Sequence, residues 1–184
     1  MSSSLTGGTG DVNPQYMHGK VTTSAANTAV EETLGTPIVR VGPQTSGQAI
    51  IMEVLKIFVQ APVVDLDAAA ATNREVSLSF STTSSGSTAA VPAFDNPRLF
   101  ALFNHQIRNA FTAAGSALLD IVDGPRCIDL TDGAGHGLLI ATDNIFVVLD
   151  TTGFTAVATA YFKILYRFKK VSLVEYIGIV QSQQ

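Results

Sequence analysis

The sequence predicts an all-β fold, a sandwich or a barrel, and three observations carry that prediction. Apolar and polar residues alternate over several segments, turn signals recur at short intervals, and long helical periodicity is nearly absent. At 184 residues the chain has the length of one domain and can bury a full core without staples.

Residues 1–18 are Ser-, Thr- and Gly-rich and read as a flexible N-terminal arm, with one domain over residues 19–184. Thr36–Arg40 is a short extended run that ends at the turn pair Gly42–Pro43. Ala49–Gln60 is a long apolar run bounded by Gly47 and Pro62, as suits a strand. Glu53 and Lys56 interrupt it three positions apart, which breaks strict alternation and requires either a bulge or helix. Arg74–Ser81 alternates cleanly, with Val76, Leu78 and Phe80 on one face and Ser77, Ser79 and Ser81 on the other. Thr82–Ala90 reads as a loop. Asp95–His105 is the best helix candidate, since Asp95 or Asn96 can cap it and Pro97 suits a first turn.

Short strands come next at Ala117–Val122, Arg126–Leu130, Gly137–Ala141 and Ile145–Asp150, the last two joined by the turn Thr142–Asp143–Asn144. Ala156–Phe168 is the longest alternating stretch, and Leu173–Val180 reads as a final apolar strand that makes the C-terminal residues part of a sheet. The sum is roughly eight strands or more with one or two short helices.

Composition narrows the function classes. Charged residues make up 14% of the chain, against about 25% in ordinary soluble domains. A surface so short of charge is covered by partners or wetted by uncharged polar groups, and it hints at an oligomer. The net charge of −4 gives no general attraction to nucleic acid. Cys127 is the only cysteine, so an intrachain disulfide and a cysteine-based zinc site are both excluded. No apolar run is long enough to span a membrane, and Met1–Asp11 lacks the basic start and apolar run of a signal peptide. The expectation is a protein made and kept in a cytoplasm.

The most enzyme-like segment is Asp129–Gly137, DLTDGAGHG. A metal site there would need Asp129, Asp132 and His136 to converge. Its glycines open onto the strand-like run Leu138–Ile140 rather than a helix, so a phosphate loop lacks its helix dipole. The bland alternative is a tight connection in which glycine supplies positive φ. There is no GxSxG nucleophile elbow, and His18, His105 and His136 are far apart in the chain. Asp65 and Asp67 read as solvated surface. No catalytic residue and no cofactor are expected.

The basic residues say more. Lys163, Arg167, Lys169 and Lys170 cluster among only 11 Lys and Arg in the chain. On a strand the odd-numbered three share a face and form a positive stripe, a candidate for nucleic-acid contact. The alternatives are a solvated face or pairing with acids of a neighbouring subunit. Tyr161, Phe162, Tyr166 and Phe168 interleave with them and could stack on bases, although the even-numbered members serve better in the core.

DLTDGAGHGLLIATD at Asp129–Asp143 and FKILYRFKKVSLVEYIGIVQSQQ at Phe162–Gln184 resemble the capsid proteins of small circular single-stranded DNA viruses known from environmental sequencing. Thr36–Ile38 and Ile51–Lys56 resemble the same group, and the likeness spans roughly residues 20–184. It implies a single jelly roll of two four-stranded antiparallel sheets, with the short helices in loops. It also implies self-assembly into a small icosahedral shell of about sixty copies, or a multiple, enclosing single-stranded nucleic acid. The location would be the virion, assembled in a host cell, with no enzymatic activity, membrane partner or small-molecule substrate. Such proteins hold their genome with a basic N-terminal arm, and residues 1–19 here contain no Lys or Arg. The competing expectation is a ligand- or carbohydrate-binding jelly roll of lectin or cupin type, which the absence of tryptophan for sugar stacking disfavours.

Overall fold

The computed structural model describes residues 13–37, 48–62, 72–86, 89–109 and 124–183. Among these residues nine strands and one helix occur in order: β1 (Gln15–Thr22), β2 (Ala29–Gly35), β3 (Gln48–Gln60), β4 (Thr72–Ser81), β5 (Leu99–Asn109), β6 (Arg126–Asp129), β7 (Leu138–Ile140), β8 (Asn144–Thr152), β9 (Thr159–Ser172) and α1 (Leu173–Gln183). Every strand pairing is antiparallel. One sheet runs β1-β9-β3-β6 with β7 also on β3, and the other runs β2-β8-β4-β5. The chain crosses from one sheet to the other between β1 and β2, again into β3, into β4, into β6, into β8 and into β9. These repeated crossings produce the jelly roll.

The core lies between the two sheets. Alternation turns Ala160, Phe162, Ile164 and Tyr166 of β9 inward, where they meet Val76, Leu78 and Phe80 of β4 and Ile145, Val147 and Leu149 of β8. Phe80 and Phe162 join the layers edge to face, with centroids 5.4 Å apart at 86°. Gly19 of β1 pairs with Phe162, and a Cβ there would collide with Phe162 Cζ. Glycine is required at that position because the aromatic ring already fills the space.

Several expectations are corrected. The first sheet has five strands rather than four, because its edge is split between β6 and β7. Lys56–Val59 pair with β6 and Met52–Val54 pair with β7, and the register slips at Leu55 between them. The Leu55 carbonyl accepts the Leu130 N–H at 2.9 Å, so the bulge anchors the excursion between the edge pieces. A bulge therefore explains the three-residue spacing of Glu53 and Lys56.

Asp95–His105 is not a helix. Asn96 Oδ1 accepts the Arg98 N–H at 3.0 Å and closes a turn, and Leu99 then enters β5 against β4. Ala101 and Phe103 reach the core while Asn104 points out to Glu75, so two-residue periodicity overrides the capping signal. Leu173–Val180 is helix rather than strand. Ser172 Oγ caps it by accepting the Glu175 N–H at 3.2 Å, and Tyr176, Ile179 and Val180 pack on Ile51 and Val171 outside the five-stranded sheet. The Gln183 side chain clamps its last turn to Leu139 and Ala141. β1 begins at Gln15, so residues 15–18 are paired strand rather than arm; Met17 packs on the core and Tyr166 donates to Gln15. β2 has no counterpart among the strands expected from sequence. The expectations for residues 1–12, Ile38–Pro43, Asp65, Asp67 and Ala117–Val122 fall outside the described residues.

Candidate functional site: the outer face of the five-stranded sheet

The register of β3 against β9 places Glu53 opposite Arg167 on the side of the sheet away from the core. Glu53 is fully buried nonetheless, because the 130–137 excursion folds over it. Its carboxylate accepts Arg167 Nε at 2.5 Å and the Gly137 N–H at 2.9 Å, with Lys169 Nζ 3.7 Å away. Arg167 Nη2 also donates to the Gly135 carbonyl at 3.0 Å. A Cβ on Gly137 would collide with the Val54 carbonyl oxygen, so the close approach needs glycine.

Burial pushes the Glu53 carboxyl up, but the Arg167 and Gly137 hydrogen bonds and the Arg167 and Lys169 charges outweigh it, leaving it below its ordinary 4.5. A carboxyl lowered by folding stabilises fully above its unfolded value, and that stabilisation is lost as pH falls through the lowered folded value. Melting temperature is therefore expected to fall on acidification below about pH 4.5, the unfolded range of a glutamate. Glu53→Gln is expected to shallow that fall, and differential scanning calorimetry across pH checks it. An unchanged pH profile in the variant would contradict the assignment.

Asp129 ends β6, and Asp132 and His136 lie on the excursion that follows it. Asp129 takes Lys56 Nζ at 2.9 Å on one oxygen and the N–H and hydroxyl of Thr131 on the other. The Lys56 hydrogen bond, with help from Thr131, holds its carboxyl far below the usual carboxylate range. Asp132 accepts the Ala134 and His136 N–H groups and faces His136 Nδ1 at 3.0 Å. Gly133 and Gly135 take positive φ of 81° and 89°, as a tight connection requires. Each acid is occupied by its own partners. Among the described residues no group of three or more His, Cys, Asp or Glu is placed to hold a metal.

The basic stripe divides. Lys163, Arg167 and Lys169 share the outer face, as alternation requires, whereas Lys170 falls on the opposite side. Arg167 and Lys169 are held by Glu53; Lys163 is exposed at the other end of β9. Sequence reasoning misses the surroundings of Lys163. His18 of β1 and Phe58 of β3 flank it, Tyr161 lies two residues along β9, and the Tyr16 and Phe58 rings lie 6.3 Å apart. These five residues line an open groove of about 710 Å³. Alternation alone marks Phe58 and Lys163 as outward residues, but only cross-strand register brings them together with β1. Among the described residues, no helix is long and apolar enough to cross a membrane.

No protein-family model matches the sequence, and no curated protein sequence matches it. Solved structures do share the fold. VP1 of Trichodysplasia spinulosa-associated polyomavirus, in complex with GM1 oligosaccharide, superposes with a TM-score of 0.52 at 11% identity, covering 89% of this chain and 96% of that one. An unassembled pentamer of Merkel cell polyomavirus VP1 gives 0.52 at 8% identity, with 89% and 97% covered. Merkel cell polyomavirus VP1 with disialyllactose gives 0.50 at 7% identity, with 89% and 98% covered. The class that strand order and likeness define is the jelly roll, and the chain is similar in fold to polyomavirus VP1.

Proposed function

We propose that this chain is a non-enzymatic capsid subunit that self-assembles into a small icosahedral shell around a single-stranded DNA genome. The observation that carries the reading is the jelly-roll strand order, extended over 89% of the chain in its superposition on VP1 coat proteins. That one of those coats is a pentamer supports homo-oligomerisation here. The surface supports it as well. Leu173, Val174 and Ile177 form an apolar stripe on the free side of α1, with Val174 82% exposed, and Phe94 projects from the β4–β5 connection at 84% exposure. Large apolar side chains bared on a surface poor in charge suit burial between copies. The resemblance to single-stranded DNA virus capsids supplies the genome type, the location in a virion and a shell of about sixty subunits. The unit that assembles is a single domain running from β1 to α1.

Sedimentation velocity of the purified chain tests the reading. The expected result is a discrete species many times heavier than the 19.3 kDa chain. A monomer that persists across protein concentration and salt would overturn it.

A further inference from the structure

We propose that the outer face of the five-stranded sheet, beside the Glu53 network, is a stacking platform for single-stranded nucleic acid. The strand register lays it out in rows. Lys20, Tyr161 and Gln60 form one; His18, Lys163 and Phe58 form the next; Tyr16, Leu165 and Lys56 form the third. Each row carries a Tyr or Phe ring and a lysine. Tyr16 and Tyr161 are 60% and 51% exposed, far more than a tyrosine with a core role.

The chemistry of the rows selects the ligand. Exposed rings offer π-faces to bases of any sequence, and interleaved cations offer contacts to the phosphates between them. Rows on one face of a sheet are spaced by two residues, about 6.7 Å. Bases in a duplex lie about 3.4 Å apart and their faces are covered by neighbouring bases. Rings at the wider spacing can be reached only by splayed bases, hence by a single strand. Charge agrees with this. Among the described strand residues of this face the acids, Glu53 and Asp129, are each held by a cation, Arg167 and Lys56. Lys20 and Lys163 thus give local positive charge on a chain whose net charge is −4. A two-fold contact centred on Lys20 and Lys163 would bring these lysines close to their own copies, which disfavours that occupant.

The identity of the strand as a packaged genome rests on the capsid reading; the binding chemistry of the face does not. The test is fluorescence anisotropy of a labelled oligothymidylate with the purified chain, beside sedimentation of the same samples. A Tyr16→Ala/Tyr161→Ala variant is expected to bind at least tenfold more weakly. A Lys20→Gln/Lys163→Gln variant is expected to flatten the salt dependence by about 1.4 in the log–log slope, about 0.7 for each phosphate that is no longer neutralised. Lys170→Gln, on the opposite side of the sheet, is expected to bind as the parent does. A duplex of the same length is expected to bind more weakly than the single strand. Parent-like binding by both double variants would overturn the inference, even with particles forming normally. So would variants that lose assembly and keep oligonucleotide binding, because the face would then be an interface between copies. Binding through this face by a chain that never forms particles would support the platform while overturning the capsid reading.

Discussion

Replacing Arg167 with alanine is expected to destabilise the fold by about 3 kcal/mol or more, the largest effect of any change to a charged residue here. Breaking a buried ion pair by removing one partner costs about 3–5 kcal/mol, because the other charge is left in a poorly solvating site. Glu53 is fully buried, and without Arg167 it would keep the Gly137 N–H and a lysine 3.7 Å away. The same change frees the Gly135 carbonyl, so the 130–137 excursion is expected to loosen as well. Urea unfolding measures the first effect and amide exchange within residues 133–137 the second. The double replacement Glu53→Leu/Arg167→Leu is expected to recover most of the loss, since an apolar pair needs no charge compensation. A single variant as stable as the parent would show that Glu53 does not depend on this guanidinium.

The second large effect is in the core. Phe162→Ala is expected to cost about 3–5 kcal/mol, the usual range for a buried phenylalanine. It removes the ring that meets Phe80 across the sheets and covers Gly19. Gly19→Ala in the parent is expected to destabilise, because its Cβ would enter the Phe162 ring. In a Phe162→Leu background the same alanine is expected to cost clearly less. The double-mutant cycle therefore has a defined sign. Additive effects would mean that the ring and the glycine do not share that space.

How much of the fold is legible in the sequence depends on whether neighbouring residues or distant ones decide each element. Val76, Leu78 and Phe80 alternate with serines, and β4 arises from that alone. The Glu53–Lys56 spacing announces the bulge at Leu55. The ending LVEYIGIVQSQ misleads because nearly every side chain in its first half is apolar, which hides period. The signal that corrects it is Ser172 with Glu175 three residues later, a capping-box pattern. Asp95–Pro97 carries equally good capping chemistry but closes only a turn, since pairing with β4 claims the chain from Leu99 onward. β2 is short and holds two glutamates, and one of them, Glu31, accepts Ser84 and Ser85 to pin the β4–β5 connection. A strand defined by partners so far along the chain leaves little local trace.

The candidate site shows the same division. That Lys163, Arg167 and Lys169 share a face is readable from alternation. That Glu53 claims two of them is not, because the pairing depends on the register between β3 and β9. The groove around Lys163 depends further on β1, whose first residues carry no strand signal strong enough to distinguish them from an arm.

The proposal that this jelly roll builds a shell is tested most directly by electron microscopy of the purified chain. Closed, hollow particles of one diameter are expected. A field containing only dispersed single chains, under conditions where the protein is folded and concentrated, would contradict it.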